Sequence, residues 1–242
     1  MSTSLPTNHF YHDLMNRLLE RLDYIRINPT DILNYGLHTD HSHQQLQQRY
    51  LSANILPVHD QIDLEKCADH SVDLIVAHFP LIAKKDPIAI LREFSRVLRD
   101  EGLLLFTSLG PDTFYELRES FVAVDNAPHV YDFYDMHHVG DWLKGLHFSD
   151  PVVDREVITI AYDNLLLFFQ DLKQLSATNQ LMNRSRGLLS KNRWQKMLLQ
   201  YEQFKKEDYY PVTIELIFGH AWKVKQNRSD EFVISIDQIR RK

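Results

Sequence analysis

The sequence predicts an α/β fold built on a parallel sheet, and three observations carry that prediction. Val72-Asp73-Leu74-Ile75-Val76-Ala77 and Leu103-Leu104-Leu105-Phe106-Thr107 are short apolar runs of the kind that form strands covered on both faces. Between them Asp86-Pro87 opens a helix, with Asp as N-cap and Pro at the first helical position; Ile90, Leu91, Phe94, Val97 and Leu98 mark its buried side, and Gly102 its stop. Strand, helix, strand in that order is the right-handed crossover unit of a parallel sheet. The chain has 242 residues, 44% of them hydrophobic and 25% charged, enough for one domain with a sizeable core.

The other elements follow from periodicity and punctuation. Leu14, Leu18, Leu19 and Leu22 fall at helical spacing among charged neighbours, so His9 to Tyr24 reads as an amphipathic helix, and Pro29 ends the segment after it. Asp31 to Tyr35 reads as a strand closing at Gly36, Ser42 to Tyr50 as a surface helix, and Asn54 to Val58 as a second strand. Beyond Thr107 the pattern gives helices near Thr113 to Val124 and His137 to Leu146, with Asp112 as N-cap of the first. An alternating strand follows over Val152 to Tyr162, then two more helices. Tyr210 to Lys225 is extended, and Phe232 to Ile236 makes an edge strand.

Composition removes several function classes. No strictly apolar run exceeds the five residues Leu165 to Phe169, so no membrane span is expected, and the opening residues carry no secretory signal. A single cysteine, Cys67, excludes an internal disulfide and fits a reducing cytoplasm. The net charge of −6 argues against a protein whose whole surface follows nucleic acid and leaves room for a local basic patch. Only seven glycines are present, and Gly36 alone falls in the first 101 residues, so no glycine-rich phosphate loop and no nucleophile elbow can be written. His38, His41 and His43 lie close in sequence but lack a His-Glu-x-x-His pair or a cysteine partner, so no metal site is expected.

Leu18 to Ile25, Ser71 to Ile75, Arg92 to Arg99 and Glu101 to Phe106 form a series that resembles the class I S-adenosylmethionine methyltransferases. Within that superfamily, Leu109-Gly110-Pro111-Asp112-Thr113 leading to Glu116-Leu117-Arg118, then Asp135-Met136-His137 and Phe218-Gly219-His220-Ala221-Trp222, are similar to the malonyl-acyl-carrier-protein O-methyltransferase family of biotin synthesis. The similarity spans nearly the whole chain. The Gly-Pro-Asp-Thr and Gly-His-Ala-Trp elements are its most specific parts, and a related group of respiratory complex I assembly factors shares them.

The resemblance implies a Rossmann-like sheet with flanking helices in one domain over 1–242. Its core would lie at about 28–110 and 150–225, and helical cap elements for substrate or partner at about 111–147 and 164–206. It implies S-adenosylmethionine as cofactor and malonyl-loaded acyl carrier protein as partner. The positions that correspond to cofactor contacts are Asn34, Gly36, Asp60 and Ala77. The family's first loop has an acid followed by three closely spaced glycines. Here Asn34 stands for the acid, and His38 and Asp40 stand where two glycines would let the backbone approach the cofactor. Only twelve residues separate Asp60 from Asp73. The fold ordinarily fits a helix and another strand there, roughly ten residues of crossover plus about five of strand, so this region is shortened, with Asp63 a loose counterpart of the acid near the adenine.

Methyl transfer to an ionised carboxylate needs positioning rather than an acid–base pair. The catalytic candidates are therefore His78, beside the reacting methyl in the resemblance, and Arg118, whose guanidinium can hold a carboxylate. Arg186 is a second carboxylate candidate. The alternatives are a strand-end histidine bonded to backbone and arginines on solvated helix faces. Between Arg184 and Lys206, seven cations face one acid, Glu202. Arg186, Lys191, Arg193 and Lys196 are the partner-binding candidates there, as a patch that steers an acidic carrier or as an ordinary basic helix face. Three readings stand: an ester-forming methyltransferase, a non-catalytic paralogue that keeps the carrier-binding face, and an assembly factor for a protein partner. Loop chemistry favours the second and the family pattern the first.

Overall fold

A computed structural model describes residues 7–36, 40–82, 86–174 and 189–225. The edge strand expected at Phe232 to Ile236 lies outside the described residues, as do His38, Arg184 and Arg186. In chain order the elements are α1 (Thr7–Glu20), β1 (Asp31–Tyr35), α2 (Asp40–Arg49), β2 (Asn54–Val58), α3 (Gln61–Glu65), β3 (Val72–Ala77), α4 (Pro87–Val97), β4 (Leu98–Leu109), α5 (Tyr115–Val122), α6 (Met136–Gly145), β5 (Phe148–Tyr162), α7 (Leu165–Gln174), α8 (Lys191–Tyr201) and β6 (Tyr210–Lys223).

The strands form one six-stranded sheet in the order β2-β1-β3-β4-β6-β5. Its first four strands are parallel, and β6 runs antiparallel between β4 and β5. Period-two alternation divides the strand residues between two layers. Ile32, Leu74, Val76, Leu103 and Leu105 face a layer with Leu14 and Leu18 of α1, Leu46 of α2, Leu117 of α5, Phe168 of α7 and Met197 of α8. Leu33, Ile75, Ala77, Leu104 and Phe106 face the other, with Leu64 of α3, Phe94 of α4 and Leu143 of α6. Each Leu, Ile, Val, Phe or Met among them, fully withdrawn from water, contributes about 1.5–3 kcal/mol.

Local chemistry sets the boundaries. Asp86 caps α4 by accepting from the Ile88 and Ala89 N–H groups, with Pro87 at the first helical position. The helix does not run to Gly102. Leu98 is already extended and pairs with Val72, and its carbonyl accepts from buried Lys223 at 2.6 Å, so β4 starts there. Asp112 does not cap the next helix either. Phe114 takes a left-handed conformation (φ 57°), and α5 starts at Tyr115 without a side-chain cap.

Arg99 clamps the far end of the sheet. It donates to Asp73 Oδ1 at 2.7 Å and Asp31 Oδ2 at 2.9 Å, tying β4 to β3 and β1. Burial raises the Asp73 pKa, but Arg99 and the Asp31 and Thr30 N–H groups outweigh it and hold the carboxyl at about 2. The shortened region is also plain. Residues 59–71 form only the five-residue α3 and turns, so both the longer helix and the extra strand are missing from this stretch, and among the described residues β2 is the sheet's outer strand.

At the β4–β6 junction Gly219 faces Phe106, and a β-carbon on Gly219 would sit 2.2 Å from the ring. Gly219→Ala is expected to lower the unfolding free energy by about 1–3 kcal/mol through overpacking. In urea unfolding, Phe106→Leu combined with Gly219→Ala should cost less than the sum of the two single changes.

Candidate functional site

In an open α/β sheet, ligands enter at the carboxyl ends of the strands, where neighbouring connections leave in opposite directions. From β1 the chain moves outward to β2 and then returns to β3 on the other side, so the switch point is the crevice between the ends of β1 and β3. Asn34 and Gly36 stand on one side of it, and Ala77 and His78 on the other.

The polar groups in this crevice are turned onto one another. Asn34 is fully buried, and its Nδ2 donates to Ser42 Oγ at 3.0 Å. His78 Nε2 lies 3.2 Å from Asn34 Oδ1 and 3.0 Å from Ser42 Oγ. Ser42 is also fully buried, in the first turn of α2. His78 is 4% exposed, its Nδ1 has no hydrogen-bond partner, and burial pushes its pKa down to about 3. The ring is therefore neutral at physiological pH. Gly36 closes the crevice from the other strand. Its φ is +120°, and a β-carbon there would lie 2.7 Å from the His78 carbonyl oxygen.

The other positions expected from the sequence to meet a cofactor are spread around this centre. Ala77 is fully buried in the α4-side layer. Asp40 starts α2 and is exposed. Asp60 is exposed and caps α3, accepting from the Asp63 N–H at 2.9 Å, while Asp63 pairs with Lys66 at 2.7 Å. After His78 the chain bends through Phe79 at φ 50°, a strained setting for an aromatic residue. The Phe79 N–H is held by buried Thr107 Oγ1 at 3.2 Å, and its ring meets Tyr11 of α1 edge to face at 6.2 Å. His41 stacks on His12 at 3.9 Å, and burial and that neighbour lower its pKa.

The Gly-Pro-Asp-Thr segment is a cradle for Glu215 of β6. The Glu215 carboxylate accepts from the Asp112 N–H at 2.8 Å and from Arg155 at 3.2 Å. The Thr113 hydroxyl bonds the Glu215 backbone, and a β-carbon on Gly110 would strike the carboxylate carbon at 2.3 Å. Glu116 does the same for the next turn, accepting from the N–H and hydroxyl of Thr213. Arg118 serves this framework. It donates to the carbonyls of Pro111 (2.8 Å), Thr113 (3.4 Å) and Tyr131 (3.3 Å), and its Nε is buried without a partner.

Lys191, Arg193 and Lys196 are exposed on α8, well apart from the strand-end crevice in sequence, and Arg193 lies 3.6 Å from Asp125. Beside α8 opens a groove of about 450 Å³, lined by Phe114, Phe121, Phe169, Leu172, Trp194 and Lys173. The sequence pattern missed Ser42 and Glu215. Ser42 gives no signal, being a polar residue in a polar helix. Glu215 does give one, because a carboxylate within the apolar run Val212 to Phe218 demands a partner.

Comparison with known proteins places this geometry. Residues 17–106 match the family model described as "Methyltransferase domain". Over 95% of its length the chain is 38% identical to the malonyl-[acyl-carrier protein] O-methyltransferase 1 of Coxiella burnetii, covering 88% of that protein. Among solved structures it resembles the YcgJ protein of a Bacillus, with a TM-score of 0.56 at 12% identity, over 88% of this chain and 99% of that one. It also resembles a Haemonchus contortus N-methyltransferase in complex with S-adenosylhomocysteine, with a TM-score of 0.50 at 11% identity, over 92% of this chain and 59% of that one. These likenesses give the methyltransferase fold.

The buried imidazole makes stability depend on pH. The unfolded chain protonates His78 near 6.5, whereas the folded chain resists until about 3. Its stabilising contribution is therefore complete above pH 6.5 and is lost as pH falls from there toward 3, by up to about 1.4 kcal/mol per pH unit. His41 acts in the same direction. Urea unfolding between pH 7 and 4 should show this slope, and His78→Gln should flatten it; an unchanged slope would mean that His78 is not the group that titrates.

Proposed function

The chain belongs to the malonyl-[acyl-carrier protein] O-methyltransferase family, S-adenosylmethionine-dependent methyltransferases of biotin synthesis, and from that premise we propose that its ligand is the malonyl-loaded acyl carrier protein. The reaction of the family is formation of a methyl ester on the free malonyl carboxyl. The observation that carries the reading is the 38% identity over nearly the whole chain, cap segments included.

The chemistry asks little of the protein at the carboxyl itself. A malonyl carboxylate is ionised near neutral pH, so no general base is needed and recognition falls to cations. The exposed Lys191, Arg193 and Lys196 on α8 supply a face complementary to an acidic carrier, and the adjoining apolar groove, with Lys173 on its wall, suits the substituent that such a carrier presents. A cytoplasmic setting agrees with the one free cysteine.

A second reading is favoured by one observation, the mutual bonding of Asn34, Ser42 and His78 in the crevice. In that reading the carrier is still recognised but is not methylated. Carrier binding is expected by surface-immobilised titration of malonyl-carrier, falling about tenfold with Lys191→Glu plus Lys196→Glu and weakening with salt. Failure of the carrier to bind would overturn the proposal. Methyl-ester formation from labelled S-adenosylmethionine, followed by mass spectrometry of the carrier, separates the two readings.

A further inference from the structure

The residues at the switch point do not fit the cofactor that the family uses. A sulfonium ligand with an amino-acid tail carries positive charge at its sulfonium and ammonium groups, which a carboxylate would offset, and a tail carboxylate that calls for yielding backbone N–H groups around it. Here the β1 end offers a neutral amide in place of a carboxylate, and the β3 end offers a neutral imidazole. Neither points outward. Asn34 and Ser42 are fully buried and His78 nearly so, and the hydrogen bonds among them run from 3.0 to 3.2 Å.

Among the described residues the backbone also closes on itself here. The Gly36 N–H bonds the Val58 carbonyl and the His78 N–H bonds the Tyr35 carbonyl, so ladder contacts continue past the strand ends. The one glycine that remains there is used for contact with the His78 carbonyl. On the outer side, where the fold ordinarily supplies a further helix and strand, Asp60 goes directly into the short α3 as its N-cap.

We infer that Asn34, Ser42 and His78 occupy the crevice in the cofactor's stead, completing the fold from within, so that the chain does not bind S-adenosylmethionine. The family reading enters this inference only by naming the cofactor. Carrier recognition through α8 is independent of it, because that face lies on a different element and needs no cofactor.

The test is calorimetric titration of the full chain with S-adenosylmethionine and with S-adenosylhomocysteine, each in the presence and absence of malonyl-carrier, alongside thermal unfolding. No heat is expected up to about 1 mM ligand, and no change in Tm, whereas a ligand at a hundred times its Kd would raise Tm by about 5 °C or more. Binding tighter than about 1 mM in any of these titrations overturns the inference. Asn34→Ala and Ser42→Ala add a second readout. Each should lower Tm, and their combined loss should differ from the sum, as expected of one coupled unit; additive losses would mean that the three side chains do not act together. Carrier binding measured without cofactor tells failure of this inference from failure of the family reading.

Discussion

Polar groups closed off between two parallel strands must be satisfied by the chain itself, and that constraint governs the part of this molecule where function is expected. Asn34 is the centre of the solution. Its amide donates to Ser42 and faces His78, which links β1, the first turn of α2 and the end of β3. Burial keeps the imidazole neutral, and its Nδ1 has no hydrogen-bond partner that would favour a second proton. Packing follows from this chemistry. The neighbouring Gly36 can accept the close approach of the β3 backbone, and Phe79 is driven into a left-handed bend that Thr107 and Tyr11 brace.

The antiparallel half of the sheet obeys the same rule with charges. Glu215 and Glu116 are buried carboxylates, and the segment from Gly110 to Arg118 is shaped around them. Its specific residues are thereby explained as architecture: a glycine where a carboxylate crowds the backbone, a threonine that bonds the same strand, and an arginine that gathers three carbonyls. A motif shared across a family need not touch a substrate in order to be required. Positioning the helices that border the groove is sufficient reason for it.

Much of the fold was readable in the residues. β1, β2 and β3 have the expected limits, the buried leucines of α1 are those at helical spacing, and Asp86-Pro87 caps α4 as its types dictate. The errors lie where tertiary contacts override local preference. Leu98 leaves the helix because β3 and Lys223 claim its backbone, and Phe114 delays α5 because its N–H bonds the Thr213 carbonyl. The site was half readable. The departure of the loop from its glycine-rich pattern is visible in Asn34 and Asp40, and the missing crossover in the distance from Asp60 to Asp73. That His78 turns inward, and that Ser42 meets it, depends on side-chain direction across 36 residues, which no spacing rule encodes.

The short connection between β2 and β3 also bears on the exposure of backbone at the border of the sheet. Among the described residues β2 has a neighbouring strand on one flank only, and an open flank in a flat strand would invite pairing with another chain. The inward bonds from Asn54 to Thr30 and from Gly36 to Val58 set the alternation, so the amide positions facing outward in β2 are those of Ile55 and Pro57. Proline has no N–H, and only one outward donor is left along five residues. That border is thereby a poor template for intermolecular β-pairing.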